Sequence, residues 1–176
     1  MSDASNIRAI DSPAALYALA YEIETDAVER YKLLAEQMET HNNVELTRIF
    51  LDLARAEGLH AEEICRMSGD LGVEAKDGPI GTWRTESPES ADLNSAHYLM
   101  TPRDALLMAL AGEERALAFY SGLASAAGDP VVKKLAETFV DEELEHVELC
   151  RRLLRRYPLP SGASAGDDPD PPFAVD

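Results

Sequence analysis

The sequence predicts an all-α protein, a four-helix bundle made of two helical hairpins joined by one long crossover. Three observations lead to this prediction. Helix-favouring Leu, Ala, Glu and Arg dominate the composition, while aromatic and β-branched residues are scarce. Four long stretches repeat apolar residues with helical spacing, and each opens with a helix-start signal. Two of the connections between them are short, whereas the middle one is about 30 residues long, which is unusual for a loop.

Capping residues and prolines delimit the four helices. The predicted starts are Ser12–Pro13, Asn42 (three residues before Glu45), Thr101–Pro102 and Asp129–Pro130, and the predicted ends lie near Thr40, Gly69, Ala127 and Arg156. The short loops make the first and second helices, and the third and fourth, antiparallel neighbours. We therefore expect one domain over residues 12–156, with its crossover at about 69–100. A Pro/Asp-rich tail at 157–176 is predicted to be extended or disordered.

Composition excludes several classes of partner. The chain has 176 residues and a formal net charge of −17, so nucleic acid and anionic membranes would repel it. Its two cysteines form no CxxC motif, which argues against a disulfide framework or a zinc knuckle. We find no signal-peptide pattern and no apolar run long enough to span a bilayer, and we expect a cytoplasmic protein.

A pattern in the first helix recurs in the third. The segments "ETDAVERY" and "EERALAFY" place Glu, Ala and Tyr at the same offsets on one helix face. The residues concerned are Glu24, Ala27 and Tyr31 in the first helix, and Glu113, Ala116 and Tyr120 in the third. The two hairpins thus look like two copies of one unit.

A second pattern links the other two helices. Each carries Glu-x-x-His within its apolar stripe, as Glu57 and His60 in one and as Glu143 and His146 in the other. A single Glu-x-x-His on a helix is often part of a solvated face. Two copies, in register with the repeated Glu and Tyr of the partner helices, instead favour a site inside the bundle.

Four carboxylates and two imidazoles would then point into one core. Unpaired buried carboxylates cost several kcal/mol each, so a positive charge must neutralise them. Two divalent metal ions balance four glutamates and two neutral histidines. The sequence therefore predicts a two-metal site.

This ligand pattern resembles that of the ferritin-like di-iron carboxylate proteins. The repeated E-x-x-A-x-x-x-Y context is most similar to the rubrerythrin branch, in its erythrin domain, over about residues 12–156. The resemblance implies that Glu57 and Glu143 bridge two iron ions, although manganese or a mixed pair also fits these ligands. It further implies that Glu24 and His60 complete one metal site and Glu113 and His146 the other, with Tyr31 and Tyr120 donating hydrogen bonds to the carboxylates.

The chain departs from the rubrerythrin pattern at two points. Rubrerythrins carry a further ligand glutamate where this chain has Ala116, and they carry a rubredoxin-like domain with paired CxxC motifs, which are absent here. The near-symmetric ligand set is equally similar to that of bacterioferritin. By that analogy Glu142 would orient His60, whereas Ala56 occupies the reciprocal place for His146.

The resemblance implies an oxidoreductase that reacts with peroxide or O2. Its electrons would come from an external donor such as a rubredoxin-like protein, and we expect a homodimer or a higher homo-oligomer. Two alternatives stay open at this point. One is a ferroxidase or iron-handling protein of bacterioferritin type. The other, of a different class, is a non-catalytic metal-binding bundle or a partner-binding module.

Overall fold

The computed structural model describes residues 10–70, 72, 87–89, 91 and 100–158. Within these residues the secondary structure is entirely helical. The helices are α1 (Pro13–Thr40), α2 (Val44–Asp70), α3 (Pro102–Ala126) and α4 (Pro130–Leu154). The predicted all-α bundle is confirmed. Most of the predicted crossover and, beyond residue 158, the predicted tail lie outside the described residues.

Three of the four predicted helix starts are confirmed. Ser12 Oγ accepts from the Ala15 amide at 3.3 Å, and Asp129 Oδ1 accepts from two amides of α4. Thr101 forms a reciprocal capping box with Asp104. Each of these bonds satisfies a backbone donor that the first helical turn leaves unpaired. Proline follows the cap in all three cases.

The start of α2 differs from the prediction by one residue. Asn43, rather than Asn42, accepts from the Leu46 amide through its side-chain oxygen, at 3.2 Å. Asn42 instead adopts φ 57°, the left-handed conformation that asparagine tolerates better than most residues. Asn42 therefore provides the left-handed residue of the turn, and Asn43 is the N-cap of α2.

The helices pack as the two predicted hairpins, α1 with α2 and α3 with α4. Their apolar faces form two core clusters, one at each end of the bundle. One cluster contains Leu16, Ile23, Ile64, Tyr120 and Phe139 among others, and the second contains Tyr31, Leu34, Phe50, Ala109 and Cys150 among others. On every helix the predicted ligand positions lie between the residues of one cluster and those of the other. The candidate site is therefore a polar layer between two apolar ones.

None of the four described helices combines the length and apolarity needed to cross a membrane. This agrees with the hydropathy of the sequence, in which acidic residues interrupt every apolar stripe.

Candidate metal centre

The six residues predicted as metal ligands lie together in the polar layer. Each helix supplies one buried glutamate, and α2 and α4 add one histidine each. The exposed fractions of the four glutamates are 4% for Glu24, 3% for Glu57, 5% for Glu113 and 2% for Glu143. Helical spacing explains why they meet: each lies on the inward face, at the same height as its counterparts.

The first three ligand candidates form a group that we call the first triad: Glu24, Glu57 and His60. One potential ligand atom from each lies within 4.8 Å of the others. His60 Nδ1 is 3.3 Å from Glu57 Oε2 and 3.8 Å from Glu24 Oε2. The i, i+3 spacing brings Glu57 and His60 together within α2, while the hairpin brings α1 to them.

The second triad, Glu113, Glu143 and His146, repeats this arrangement in the other hairpin. His146 Nδ1 lies 3.5 Å from Glu113 Oε2 and 3.6 Å from Glu143 Oε2. Burial lowers the pKa of His146, but the two carboxylates outweigh burial and raise that pKa to about 11.

The two triads meet through their histidines. The imidazole rings of His60 and His146 stack with centroids 4.1 Å apart and planes 7° from parallel. Because each ring belongs to one triad, the stack brings the triads side by side. This geometry matches a pair of neighbouring cation sites with one imidazole each, as the sequence predicts.

Electrostatics in the layer strongly favour a bound cation. Burial raises the pKa of Glu143 to about 7, in spite of the lowering effect of His146. Burial, followed by the charges of Glu57 and Glu143, raises the pKa of Glu24 well above its usual value. The cause is shared: several carboxylates occupy one desolvated space, where their negative charges repel one another.

Buried polar atoms without a hydrogen-bond partner test whether a metal ion fits this centre. Within the described residues, four buried ligand-type atoms of the triads have no hydrogen-bond partner: Glu24 Oε2, Glu113 Oε2, Glu143 Oε2 and His146 Nδ1. Such atoms are costly unless something binds them. Carboxylate oxygens and imidazole nitrogens together are a donor set suited to iron and manganese. The two clusters are thus compatible with a di-iron site.

The two tyrosines flank the layer from opposite sides. Both are buried, and burial raises the pKa of each well above its usual value. After burial, the charges of Glu57 and Glu113 contribute most to the raised pKa of Tyr31, and those of Glu24 and Glu143 contribute most to that of Tyr120. Tyr120 Oη makes no hydrogen bond to a described residue, so the donation to a carboxylate that the resemblance implies is not seen there.

A pocket of about 190 Å³ reaches the centre from the side of α2 and α4. Its lining consists of Glu24, His60, Glu63, Ile64, Met67, Glu142, Glu143, Glu145 and His146. Glu142 lines this pocket together with His60 and His146, and burial raises its pKa. A second, more open pocket of about 580 Å³ also reaches His60 and His146, and its lining includes Leu144, Leu149 and Arg152.

One residue of the centre escaped the sequence analysis. Glu89, in the crossover, is buried, and a carboxylate oxygen of it lies within 4.8 Å of ligand atoms of Glu24 and Glu143. Helical periodicity could not identify it, because it lies outside the four predicted helices. A weak signal was present in the short "SPES" segment, where a glutamate follows a proline, but many exposed loops have the same composition.

Comparisons with known proteins agree with this geometry. A family profile described as rubrerythrin matches residues 16–88, which cover most of α1, all of α2 and much of the crossover. A crystal structure of an uncharacterized conserved protein from Magnetospirillum magnetotacticum MS-1 shares 35% sequence identity with the chain, at a TM-score of 0.62. That alignment covers 86% of this chain and 99% of the other. No curated protein matches the chain.

Proposed function

We propose a di-iron redox function for this chain, which belongs to the rubrerythrin family of ferritin-like proteins. The substrate is peroxide or O2, and an external electron donor of the rubredoxin type supplies the electrons. One observation carries the proposal: two Glu/His triads, each with two buried glutamates, lie side by side next to a pocket lined by both histidines.

The proposed ligands are Glu24, Glu57 and His60 for one ion and Glu113, Glu143 and His146 for the other. A pair of iron ions held by them would supply the two electrons that the reduction of hydrogen peroxide, with two protons, to two molecules of water requires. Glu57 and Glu143, from the same positions of the repeat, are the residues we propose to be shared between the ions.

Other residues near the centre contact the substrate, supply protons to it and exclude water. His60 and His146 both line the pocket, so a substrate that enters it meets both halves of the centre. Glu142 lines the same pocket, where its carboxyl group can pass on the protons that peroxide reduction consumes. Tyr31 and Tyr120 close the layer on either side and exclude water from it.

Electrons must reach the centre from outside these 176 residues. The only cysteines of the chain, Cys65 and Cys150, are free thiols that pack in or against the apolar core. They cannot form the paired CxxC site through which rubredoxin-like domains carry electrons. The proposed donor site of the rubredoxin type therefore lies outside these 176 residues.

One observation favours a second candidate, a ferroxidase that takes Fe(II) as its substrate. Three glutamates line the pocket besides the ligands: Glu63, Glu142 and Glu145. An acidic entrance attracts cations and raises their local concentration. In this alternative the same triads bind the iron to be oxidised, and no external donor is needed.

The two candidates differ in their oxidant. Full-length protein is loaded anaerobically with Fe(II), the iron bound per chain is measured, and oxidation by H2O2 is then compared with oxidation by O2. We expect two iron ions per chain and a faster reaction with H2O2. A matched variant, with both Glu63 and Glu145 changed to Gln, tests the entrance: it should slow iron loading while it leaves peroxide reduction by loaded protein unchanged.

Other results would favour the alternatives. Faster oxidation by O2 with net accumulation of ferric iron would support the ferroxidase. Two bound ions that react with neither oxidant would indicate a non-catalytic metal-binding bundle. Fewer than one iron ion per chain, with manganese bound no better, would overturn the two-metal proposal.

A further inference from the structure

A short part of the crossover is fastened against the two helices that carry Glu24 and Glu113. We call Ser87, Pro88, Glu89 and Ala91 the anchored segment. Three hydrogen bonds tie it to α1 and α3: Ser87 Oγ donates to Asp26 Oδ2 at 2.7 Å, Arg30 Nη1 to the Ala91 carbonyl at 3.3 Å, and Arg115 Nε to the Pro88 carbonyl at 2.9 Å. Because these bonds come from both hairpins, the segment is held on either side of Glu89.

The backbone of Glu89 also lies unusually close to α3. A Cβ atom added at Gly112 would be 3.1 Å from the Glu89 carbonyl oxygen, which is tighter than ordinary contact. Glycine in the middle of a helix costs about 1 kcal/mol relative to alanine. Here it permits the close approach of the segment, one residue before the ligand candidate Glu113.

The Glu89 side chain is buried without a partner. Only 4% of the residue is exposed, and neither carboxylate oxygen makes a hydrogen bond to a described residue. A carboxyl group that served only to fasten the crossover would use its oxygens for that purpose, yet the hydrogen bonds that fasten the segment come from its neighbours. An unpaired carboxylate in such a place is destabilising unless a cation binds it.

The carboxylate is directed at both halves of the centre. An oxygen of Glu89 lies within 4.8 Å of ligand atoms of Glu24, from the first triad, and of Glu143, from the second. These three glutamates form a third group of ligand candidates that joins the two triads. All three are buried.

We propose that Glu89 is a seventh metal ligand, delivered to the two-metal centre by the crossover. The inference rests on the proposed function, because it requires a metal in the centre. It also accounts for Ala116: the additional carboxylate that rubrerythrins take from the third helix comes here from the connection between the hairpins. Metal binding and anchoring of the crossover are then coupled, since one residue takes part in both.

The test compares wild type with Glu89→Gln, which keeps the shape of the side chain and removes its charge. Metal-free full-length protein is titrated anaerobically with Co(II), whose visible absorption responds to the number and type of its ligands. We expect wild type to bind two Co(II) per chain, and Glu89→Gln to lose affinity at least about tenfold and to change the absorption spectrum. Glu62→Gln, an equal loss of charge at an exposed position of α2, should change neither.

Thermal unfolding of the same proteins separates ligation from a merely structural role. Glu89→Gln removes a buried carboxyl group that has no hydrogen-bond partner among the described residues, so the metal-free variant should be at least as stable as metal-free wild type. Because the variant binds metal less tightly, Co(II) should stabilise it less than it stabilises wild type. Glu89→Asp, which keeps the charge but shortens its reach, should also bind Co(II) less tightly than wild type.

The outcomes that would overturn the inference are distinct from those that would overturn the proposed function. Wild type with two Co(II) per chain, together with equal affinity and spectrum in Glu89→Gln, would remove Glu89 from the ligand set and leave the two-metal centre intact. If Glu89→Gln were less stable than wild type by the same amount with and without Co(II), Glu89 would have only a structural role. Wild type with fewer than one Co(II) per chain would overturn both proposals.

Discussion

The two hairpins are copies of one unit, yet they surround their histidines differently. The His60 side chain is 31% exposed and lies 3.3 Å from Glu57, whereas the His146 side chain is 17% exposed and has no carboxylate oxygen closer than 3.5 Å. The pocket is lined by residues of α2 and α4 near both rings. A duplicated sequence has thus produced two candidate metal-binding halves that differ in access to solvent, and they need not bind or react alike.

The crossover increases this difference. Glu89 lies near Glu24 of the first hairpin and Glu143 of the second, but the duplication offers no second copy of it, because a single crossover joins the hairpins. Gly112 shows the same asymmetry within the helices. Gly112 allows the anchored segment to approach α3. Gly58 lies beside the ligand pair of α2, and a Cβ added there would have only the Val28 side chain within 4 Å.

Removal of a shared carboxylate should have the largest effect. Glu57→Ala or Glu143→Ala should abolish the binding of a metal pair, because we propose each to be a ligand of both ions. His41→Ala, at the exposed C-cap of α1, is the matched control and should retain two ions. Metal analysis after anaerobic loading and desalting measures the effect, and equal losses from all three variants would show that the ligand faces are misassigned.

Removal of one histidine at a time tests the difference between the halves directly. His60→Ala and His146→Ala should each weaken one metal site at least about tenfold, with the larger loss at His146. Water can take the place of the more exposed His60 side chain but reaches His146 less readily. Stepwise Mn(II) titration resolves the two affinities, and equal losses would make the halves equivalent in spite of their different exposure.

The metal-free protein should lose stability as the pH rises from 5 to 8. The pKa of Glu143 is raised from 4.5 to about 7, so its favourable contribution is complete below 4.5 and is lost as the pH passes 7. The raised pKa of His146 acts in the same direction above 6.5. Each group loses about 1.4 kcal/mol per pH unit between its ordinary and its raised pKa, so we expect the free energy of unfolding to fall by about 4–5 kcal/mol between pH 5 and 8, measured by denaturation in the presence of a chelator.

Bound metal should reverse that dependence. Metal competes with protons for the same oxygen and nitrogen atoms, so its affinity increases with pH. The stabilisation by Mn(II) should therefore be greater at pH 8 than at pH 5. If the metal-free protein instead became more stable between pH 5 and 8, this would contradict the raised pKa values of Glu143 and His146.

The glycine pair gives the smallest effect and isolates the contribution of the crossover. Gly58→Ala should stabilise the metal-free protein by about 0.5–1 kcal/mol, since alanine favours a helix and has room there. Gly112→Ala should destabilise it by about 1–3 kcal/mol, because the new methyl group meets the Glu89 carbonyl. Urea denaturation measures both, and a gain of stability in both variants would mean that the anchored segment gives way without cost.

Much of this architecture follows from local rules of the chain. Capping residues and prolines placed three helix starts correctly, and the fourth was wrong by one residue because Asn42 and Asn43 can each serve in a turn or as a cap. Helical periodicity put six ligand candidates on inward faces, and the structure brings all six together. Their role as ligands stays a prediction until metal is measured.

By itself, then, the sequence determined the helices, their inward faces and the repeated Glu and His pattern, because a period of 3.6 residues encodes direction within one helix. Only the tertiary structure decided what the crossover contributes. A loop has no period, so the inward position of Glu89 depends on contacts with α1 and α3 that are distant in sequence. The unequal exposure of His60 and His146 was decided in the same way, since solvent access depends on how the two hairpins pack and not on either motif.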